Sequence, residues 1–312
     1  MKRREFLRSL ALLTGATVVD LGGVGSALAQ TAPRGSAAKG TDLVAVMGGE
    51  PVVMLDRMLT EMGGIGKFVK KGDKVVVKPN IGWDRKPELA GDTNPELVGA
   101  LVTRCLAAGA SQVEVFDHTC HEWTKCYANS GIKAAVEKAG GKMVPGNDES
   151  YYQTVALPRG VKLKEAKIHK SLIDCDVWFN IPILKHHGGA KMSVSLKNYM
   201  GIVWNRQVFH STDLQQCIAD VATWSKKPAL NIVDGYRALL KNGPQGKSID
   251  DVKVTKALFA SADPVAVDTA SILFFNQATP MPLDNVSHLE NAQKLRVGTM
   301  DIESLSVKRI RM

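Results

Sequence analysis

Cysteine is scarce in this chain, with five residues among 312, and no Cys-x-x-Cys pair is present. So few thiols cannot build a disulfide scaffold, and a hydrophobic core must therefore hold the fold together. Long apolar runs are also missing, and the composition excludes a polytopic membrane protein, a coiled coil and a collagen-like chain. Hydrophobic residues make up 45% and charged residues 23% of the chain, which is the balance of a folded soluble protein.

Several well-known catalytic and nucleotide-binding motifs are absent as well. No Gly-x-Gly-x-x-Gly follows a predicted strand, which argues against a nicotinamide dinucleotide site. Neither Gly-x-Ser-x-Gly nor His-Glu-x-x-His occurs, so the sequence predicts neither a hydrolase nucleophile elbow nor a zincin site. Residues 63–67 (Gly-Gly-Ile-Gly-Lys) look like the end of a P-loop, but the first glycine and the final hydroxyl of that motif are missing.

The first 29 residues predict an export signal. Residues 3–7 (Arg-Arg-Glu-Phe-Leu) resemble the twin-arginine (Tat) signal, and a weakly apolar run follows over 10–19. The small residues Ala27 and Ala29 favour cleavage before Gln30. The apolar run is too short for a transmembrane helix, so we expect no stable membrane span after cleavage. We therefore predict a periplasmic protein whose first partner is the Tat export machinery. A Sec signal or an uncleaved anchor is the alternative.

The net charge is strongly positive, since 40 basic residues against 31 acidic ones give +9. The first 29 residues hold four basic and two acidic side chains, so about +7 belongs to the rest of the chain. This surplus favours an anionic small molecule or an anionic partner surface, although it could serve solubility alone. No nucleic-acid-binding motif is present, so nucleic acid is not an expected partner.

Beyond a small polar linker over residues 30–41, strand and helix patterns alternate. In the first half they predict strands at 43–46, 74–78 and 112–116 and helices at 51–62, 93–108 and 131–139. In the second half they predict strands at 176–181, 230–233 and 257–260, helices at 213–224 and 264–275, an edge strand at 307–310 and a polar excursion or hairpin within 145–170. We expect an α/β domain over residues 42–312. Its sheet is mostly parallel with helices on both faces, and it has an insertion or a second small lobe.

In an open parallel sheet, ligands bind at the carboxyl ends of the strands. Four predicted loops occupy such positions and carry reactive side chains: 78–80, 117–126, 185–197 and 234–235. An ordinary surface loop would be richer in Gly, Ser and Asn.

The loop at 117–126 holds two histidines, two cysteines and two carboxylates within ten positions. His118, Cys120, His121 and Cys126 are therefore candidate ligands of a transition metal such as zinc or iron. Their spacing matches no iron–sulfur pattern, so a cluster is not expected. In an oxidising compartment Cys120 and Cys126 could instead form a disulfide, and free thiols are the third alternative.

The segment at 185–201 combines three lysines, two histidines and two serines around a pair of glycines. Lysines supply point charges for a phosphate or a carboxylate, and glycines allow the backbone to approach a ligand closely. A neutral histidine can bind a metal or move a proton near pH 7. A solvated basic loop is the alternative interpretation.

Short polar motifs recur along the chain in a fixed order. They are 78–80 (Lys-Pro-Asn), 93–95 (Thr-Asn-Pro), 180–185 (Asn-Ile-Pro-Ile-Leu-Lys) with His187, 195–198 (Ser-Leu-Lys-Asn) with Gly201, His210, 233–235 (Val-Asp-Gly), 243–244 (Gly-Pro) and 263–268 (Asp-Pro-Val-Ala-Val-Asp). In that order they resemble the domain of unknown function 362 family over about residues 42–280. The resemblance implies an α/β fold but no assigned activity. Some members carry ferredoxin-type iron–sulfur modules, for which this chain lacks the cysteines.

Carried over position by position, the resemblance marks a set of cations, amides, imidazoles and carboxylates as functional. The set comprises Lys78, Asn80, Lys185, His187, Lys197, Asn198, His210, Asp234, Asp263 and Asp268. Such groups suit an anionic ligand with or without a divalent metal. Asp263 precedes a proline, which equally indicates a helix N-cap.

These observations lead to two hypotheses for the function. In the first, the chain is an enzyme of metal-assisted or redox chemistry in the periplasm, in which His187 or His210 is a general base or metal ligand and Asp234 orients it. Its ligand-binding residues are Lys78, Asn80, Lys185, Lys197 and Asn198. In the second, the chain is a non-catalytic module that binds a metal or cofactor and delivers it to a periplasmic redox partner.

Overall fold

The structure is a computed structural model and describes residues 40–312. The predicted signal peptide and most of the predicted linker lie outside the described residues. Among residues 40–312, no helix is both long enough and apolar enough to cross a membrane.

Strands and helices alternate through the first half of the described chain. The elements are β1 (Leu43–Met47), α1 (Pro51–Glu61), β2 (Lys74–Pro79), α2 (Pro95–Ala107), β3 (Gln112–Val115), α3 (Trp123–Asn129), α4 (Ile132–Lys138) and β4 (Lys142–Met143). A proline opens both α1 and α2, at the position where its missing N–H leaves no donor unsatisfied. Asn94 caps α2 by accepting a hydrogen bond from the Glu96 N–H at 3.0 Å.

The second half is less regular. Its elements are β5 (Tyr152–Ala156), β6 (Glu165–His169), α5 (Lys170–Asp174), β7 (Val177–Ile181), β8 (Ile183–His187), β9 (Lys191–Ser193), α6 (Ser195–Asn198), α7 (Gln207–Thr212), α8 (Leu214–Val221), β10 (Leu230–Leu239), β11 (Val252–Ser261), α9 (Pro264–Phe275), α10 (His288–Lys294) and β12 (Val307–Arg311). The predicted strands and helices are all present, with ends that differ by a few residues except in β10 and β11.

Ten strands form one sheet in which eight follow the order β12, β1, β11, β10, β7, β2, β3, β4. Parallel pairing joins β12 to β1 and links β10, β7, β2, β3 and β4 in succession, whereas β11 is antiparallel to both of its neighbours. β12 lies at the edge, as predicted. The fold is therefore α/β with a mostly parallel sheet.

Helices cover both faces of this sheet, which confirms the sequence prediction. Along β1 the side chains of Leu43, Ala45 and Met47 enter one core, and those of Val44 and Val46 enter the other. Helices α1 to α4 contribute to the second core, and α6, α8, α9 and α10 contribute to the first. All twelve residues of α9 are buried, so no side of this helix faces solvent.

The polar excursion at 145–170 contains the antiparallel hairpin β5–β6, which is separate from the main sheet. Its Ala166 and Ile168 are buried in the core on the α9 side of the sheet. The excursion thus packs on the domain core through these side chains.

Two sequence predictions are wrong in extent. β10 and β11 are each ten residues long, where the sequence indicated four. The segment at 185–197 is also not a loop: it contains the end of β8, a turn at the glycine pair, β9 and the start of α6. The first half of β10 pairs with β7 and the second half with β8, so β10 is long because it supports both partners.

Candidate functional site

A cavity of about 370 Å³ opens at the carboxyl ends of β2, β3 and β7. Its walls come from the residues that follow these strands and from β8, α6 and α7; they include Asn80, Asp117, His118, Cys120, Lys185, His187, Lys197, Asn198, Arg206 and His210. Three of the four loops chosen from the sequence therefore meet here. The fourth, at 234–235, does not line the cavity.

Lys78 forms part of the support beneath the cavity and does not line it. Its side chain is fully buried, and its Nζ lies 2.8 Å from Asp117 Oδ1 in an ion pair and donates to Asn198 Oδ1 at 2.8 Å. Burial lowers the pKa of Lys78, and the charge of Asp117 opposes that shift. Because its charge is already paired, Lys78 holds β2, the loop after β3 and α6 together rather than contacting a ligand directly.

Lys185 projects from β8 into the wall of the cavity. Its Nζ donates to Asn80 Oδ1 at 2.7 Å and to the carbonyl oxygen of Gly91. Burial lowers its pKa to about 8, although the nearby charge of Asp92 acts in the opposite direction. Asp92 is itself buried, and burial raises its pKa to about 7. Lys185 thus orients the Asn80 amide, and its ammonium donates to neutral oxygens while the Asp92 carboxyl lies near it.

Lys197 differs from the other two lysines because no hydrogen bond or ion pair holds its ammonium within residues 40–312. It is half-buried on α6 and lines the cavity. Burial lowers its pKa to about 8; a charge on Cys120 opposes this shift, while Lys185, Arg206 and Lys78 add to it. An ammonium in this position favours a negatively charged partner inside the cavity.

Asp268 holds the start of α6, the short helix that carries Lys197. This fully buried carboxylate on α9 accepts hydrogen bonds from the backbone N–H groups of Ser195 at 2.8 Å and Leu196 at 2.9 Å. Burial raises the pKa of Asp268 to about 7. Asp268 therefore anchors the first turn of α6 and does not face the cavity.

His187 lines the cavity as a neutral ring. Burial, followed by the charges of Lys197 and Lys185, lowers its pKa to about 2. Its Nδ1 accepts a hydrogen bond from the Ala190 N–H at 3.1 Å, so a neutral ring must carry its proton on Nε2. Both ring nitrogens are then committed, and His187 lacks the free lone pair that the predicted general base or metal ligand requires. It can donate a hydrogen bond instead.

His210 and Asp234 do not form the predicted pair. His210 is exposed at the rim, and its ring has no hydrogen-bond partner within the described chain. Partial desolvation of the ring at the cavity mouth, followed by the charges of Lys197 and Arg206, lowers its pKa. Asp234 is buried, and its oxygens accept from the N–H groups of Asn94 at 2.8 Å and Tyr236 at 3.0 Å. Asp234 thus anchors backbone, and the prediction that it orients a histidine is wrong.

The four predicted metal ligands of the 117–126 segment are not brought together. His118 bonds through Nδ1 to the carbonyl oxygen of Val203 at 2.9 Å, and His121 Nδ1 accepts from the Asp84 N–H at 3.3 Å. No group of three or more His, Cys, Asp or Glu side chains in the part of the chain that the structure describes is arranged to hold a metal ion. Residue types and spacing alone could not show this, because they do not determine where each ring points.

The predicted disulfide between Cys120 and Cys126 is not formed either, and both thiols are free. Cys126 lies on α3 and is buried in the core on the α1 side of the sheet, whereas Cys120 is exposed and lines the cavity. The helix that begins at Trp123 turns Cys126 away from the cavity.

Arg206 lines the cavity although no sequence motif marks it as a site residue. Its guanidinium donates to the carbonyl oxygens of His118 at 2.8 Å and Thr119 at 2.6 Å, and one of its nitrogens lies 3.4 Å from the sulfur of Cys120. It stands between two helices, so its position depends on tertiary structure alone.

Asp263 is a helix cap, as its position before a proline indicated. Its Oδ1 accepts from the N–H groups of Val265 at 2.8 Å and Ala266 at 2.9 Å, and its Oδ2 accepts from the Thr299 N–H at 2.9 Å. These bonds occupy both oxygens, and Asp263 does not line the cavity.

Comparison with known proteins places these observations in a family context. The model of a domain of unknown function, DUF362, matches residues 75–272. A thylakoid-associated protein of Synechocystis, sll1697, is 27% identical over 236 residues, which covers 70% of this chain and 68% of that protein.

Two solved structures resemble the fold more distantly. A crystal structure of a Thermotoga maritima protein has a TM-score of 0.46 at 12% identity and covers 79% of this chain. The lactate racemase apoprotein of Thermoanaerobacterium thermosaccharolyticum has a TM-score of 0.47 at 12% identity and covers 76% of this chain. The chain spans 60% and 57% of the lengths of these two proteins.

Proposed function

This chain belongs to the DUF362 family, a domain of unknown function, and from that premise we propose that its cavity binds a small anion, either a carboxylate or a phosphate. The observation that carries the proposal is the ammonium of Lys197. It lines the cavity and has neither a hydrogen bond nor an ion pair within residues 40–312.

The charges around the cavity support the same proposal. Lys185, Lys197 and Arg206 are positive, and the Asp117 carboxylate that also lines the cavity is already paired with Lys78. The histidines add no negative charge. A surplus of positive charge in a partly enclosed cavity is destabilising until an anion enters, so binding and relief of this repulsion go together.

Hydrogen-bond donors beside the lysines suit the oxygens of such an anion. His187 carries its proton on Nε2, and the Asn80 amide is held by Lys185 at 2.7 Å through its oxygen, which leaves its N–H₂ group free to donate. The same positive surroundings disfavour an unaccompanied divalent cation. A metal-delivery role, the alternative from the sequence, would therefore need the metal to arrive as an anionic complex.

A calorimetric titration with sulfate and with malonate tests this function. The wild-type protein is expected to bind one equivalent, and Lys197→Met is expected to weaken binding at least about tenfold, which corresponds to ~1.4 kcal/mol. Lys138→Met is the matched control, because it removes the same charge from an exposed position on α4. Absence of binding to the wild-type protein, or equal weakening in both variants, would contradict the proposal.

We also propose that the protein is exported by the Tat route and acts in the periplasm. The support is the sequence of residues 1–29, in particular Arg3 and Arg4. Replacing both arginines by lysine is expected to leave the unprocessed precursor in the cytoplasm. Immunoblots of periplasmic and cytoplasmic fractions measure this, and unchanged periplasmic accumulation of the variant would refute Tat export.

A further inference from the structure

Cys120 differs from the other four cysteines of the chain in its exposure to solvent. All five lie within the described residues, and Cys105, Cys126, Cys175 and Cys217 are buried while Cys120 is exposed. Burial raises the pKa of Cys105 and Cys126 to about 12 and that of Cys175 to about 11, so these thiols stay protonated near neutral pH.

The position of Cys120 is fixed on two sides. Its backbone N–H donates to the carbonyl oxygen of Gly82 at 2.8 Å, which ties the loop after β3 to the loop after β2. On the other side, the Arg206 guanidinium lies 3.4 Å from the sulfur and is held there by its bonds to the carbonyl oxygens of His118 and Thr119. The sulfur therefore has a defined place in the cavity wall.

The surroundings of this sulfur are cationic. Arg206, Lys185 and Lys197 line the same cavity as Cys120. Exposed cysteines with positively charged neighbours are the reactive cysteines of proteins.

Building on the proposed anion-binding function, we propose that Cys120 is a nucleophile that adds to a carbonyl carbon of the bound anion. The ligand class is then a small carboxylate or phosphate ester that carries an aldehyde or ketone. The anionic group would lie against Lys197, and the electrophilic carbon would face the sulfur.

The step balances without an external oxidant or reductant. The sulfur lone pair forms a C–S bond, the π pair of the carbonyl moves to its oxygen, and the proton lost from the Cys120 thiol ends on that oxygen. The product is a thiohemiacetal, and the Lys197 ammonium keeps its charge against the anionic group. Reversal of the same movements releases the ligand and restores the thiol.

Alkylation rates test the nucleophile and its charge preference. Iodoacetate and iodoacetamide both alkylate a thiolate with loss of iodide, but only iodoacetate is an anion. We expect Cys120 in the full folded chain to react faster with iodoacetate by about tenfold, a preference equivalent to ~1.4 kcal/mol. The preference should vanish in urea and fall in Lys197→Met but not in Lys138→Met. Peptide mass mapping identifies the alkylated cysteine.

The covalent step is tested separately with glyoxylate labelled with ¹³C at its aldehyde carbon. A thiohemiacetal resonance is expected with the wild-type protein and with Lys138→Met, and not with Cys120→Ser. Equal rates with the two alkylating reagents, or no such resonance, would overturn the inference. If sulfate still binds in a Lys197-dependent manner, only this inference fails; if sulfate also fails to bind, the proposed function fails with it.

Discussion

Three lysines lie in the wall of the cavity or beneath it, and their ammonium groups differ in the partners they have. Lys78 pairs with Asp117 at 2.8 Å, and Lys185 donates to the Asn80 and Gly91 oxygens. Lys197 has no such contact in the part of the chain that the structure describes. These differences separate a supporting lysine, an orienting lysine and a lysine that we propose to bind the ligand, although all three belong to the same residue type.

The Lys78–Asp117 pair leaves no room for a side chain at Gly201. A Cβ at this position would overlap Asp117 Oδ1 and lie 2.5 Å from Lys78 Nζ. We predict that Gly201→Ala separates the buried pair and lowers the free energy of unfolding by about 3 kcal/mol or more. Urea unfolding measures this. Gly66→Ala is the control, because a Cβ added there would meet no atom within 4 Å, and similar losses in both variants would contradict the role given to Gly201.

The affinity for sulfate should depend on pH through Lys197. Its pKa is lowered to about 8 in the free protein, and a bound anion should raise it again. Below pH 8 the ammonium is charged in both states, so affinity should be constant. Above pH 8 binding requires proton uptake by Lys197, and this group alone should lower the affinity by up to about tenfold per pH unit.

Calorimetric titration from pH 6 to pH 10 checks this dependence, because sulfate itself does not titrate in that range. Lys185 also has a pKa of about 8, so its deprotonation adds to the loss of sulfate affinity above pH 8. Lys197→Met should therefore flatten the curve without abolishing it. A wild-type affinity that rises with pH would contradict the account.

Residue types in sequence motifs identified much of the cavity lining. Asn80, Lys185, His187, Lys197, Asn198 and His210 all line it, although they are distributed over 131 positions of the chain. The sequence could not distinguish these residues from Lys78, Asp234 and Asp268, because burial and backbone partners decide that difference. It could not identify Arg206, because only tertiary structure brings its guanidinium to the carbonyl oxygens of His118 and Thr119 at the cavity.

At the scale of elements, the β8–β9 hairpin and α6 carry most of the lysine-rich segment. β8 and β9 pair through Lys185 with Ser193, His186 with Met192 and His187 with Lys191. Such short polar strands show no alternation of apolar residues and resemble a loop in sequence. Pairing of β8 with the second half of β10 determines their conformation, so tertiary contacts override the local pattern.

The contact between α9 and α6 is the element-level feature that positions Lys197. We predict that Asp268→Ala leaves the N–H groups of Ser195 and Leu196 without acceptors and lowers the free energy of unfolding by about 2–4 kcal/mol. It should also weaken sulfate binding, since the start of α6 is released. Urea unfolding and calorimetry provide the two measurements.

Ser271→Ala is the control for that variant, since Ser271 is buried on the same helix and bonds only within it, to the Val267 oxygen at 2.6 Å. The Ser271→Ala substitution should lower the free energy of unfolding by no more than about 1 kcal/mol and leave the sulfate affinity unchanged. An Asp268→Ala variant as stable as Ser271→Ala would show that α6 does not depend on this anchor.

At the scale of the whole molecule, two hydrophobic cores enclose one sheet and leave the carboxyl ends of its parallel strands open. The alternation of strand and helix patterns was sufficient to predict this layered α/β arrangement. The antiparallel placement of β11 between β1 and β10 was not predictable, because strand order depends on contacts between residues up to 218 positions apart, such as Leu43 with Ser261.

The same architecture brings several of the positively charged side chains together at one cavity. Three cationic side chains line one cavity at the open edge of the sheet, and the Asp117 carboxylate in the same wall is paired with Lys78 beneath it. The central claim is therefore spatial: an anion should bind at Lys197 and not on the basic surface in general.

Anomalous diffraction from crystals of the protein soaked in selenate, a sulfate analogue with a strong selenium signal, tests this claim most directly. The account predicts a selenium peak inside the cavity, with selenate oxygens within hydrogen-bond distance of Lys197 Nζ, and its loss in Lys197→Met crystals. Selenium peaks confined to the outer surface, with an unoccupied cavity, would contradict it.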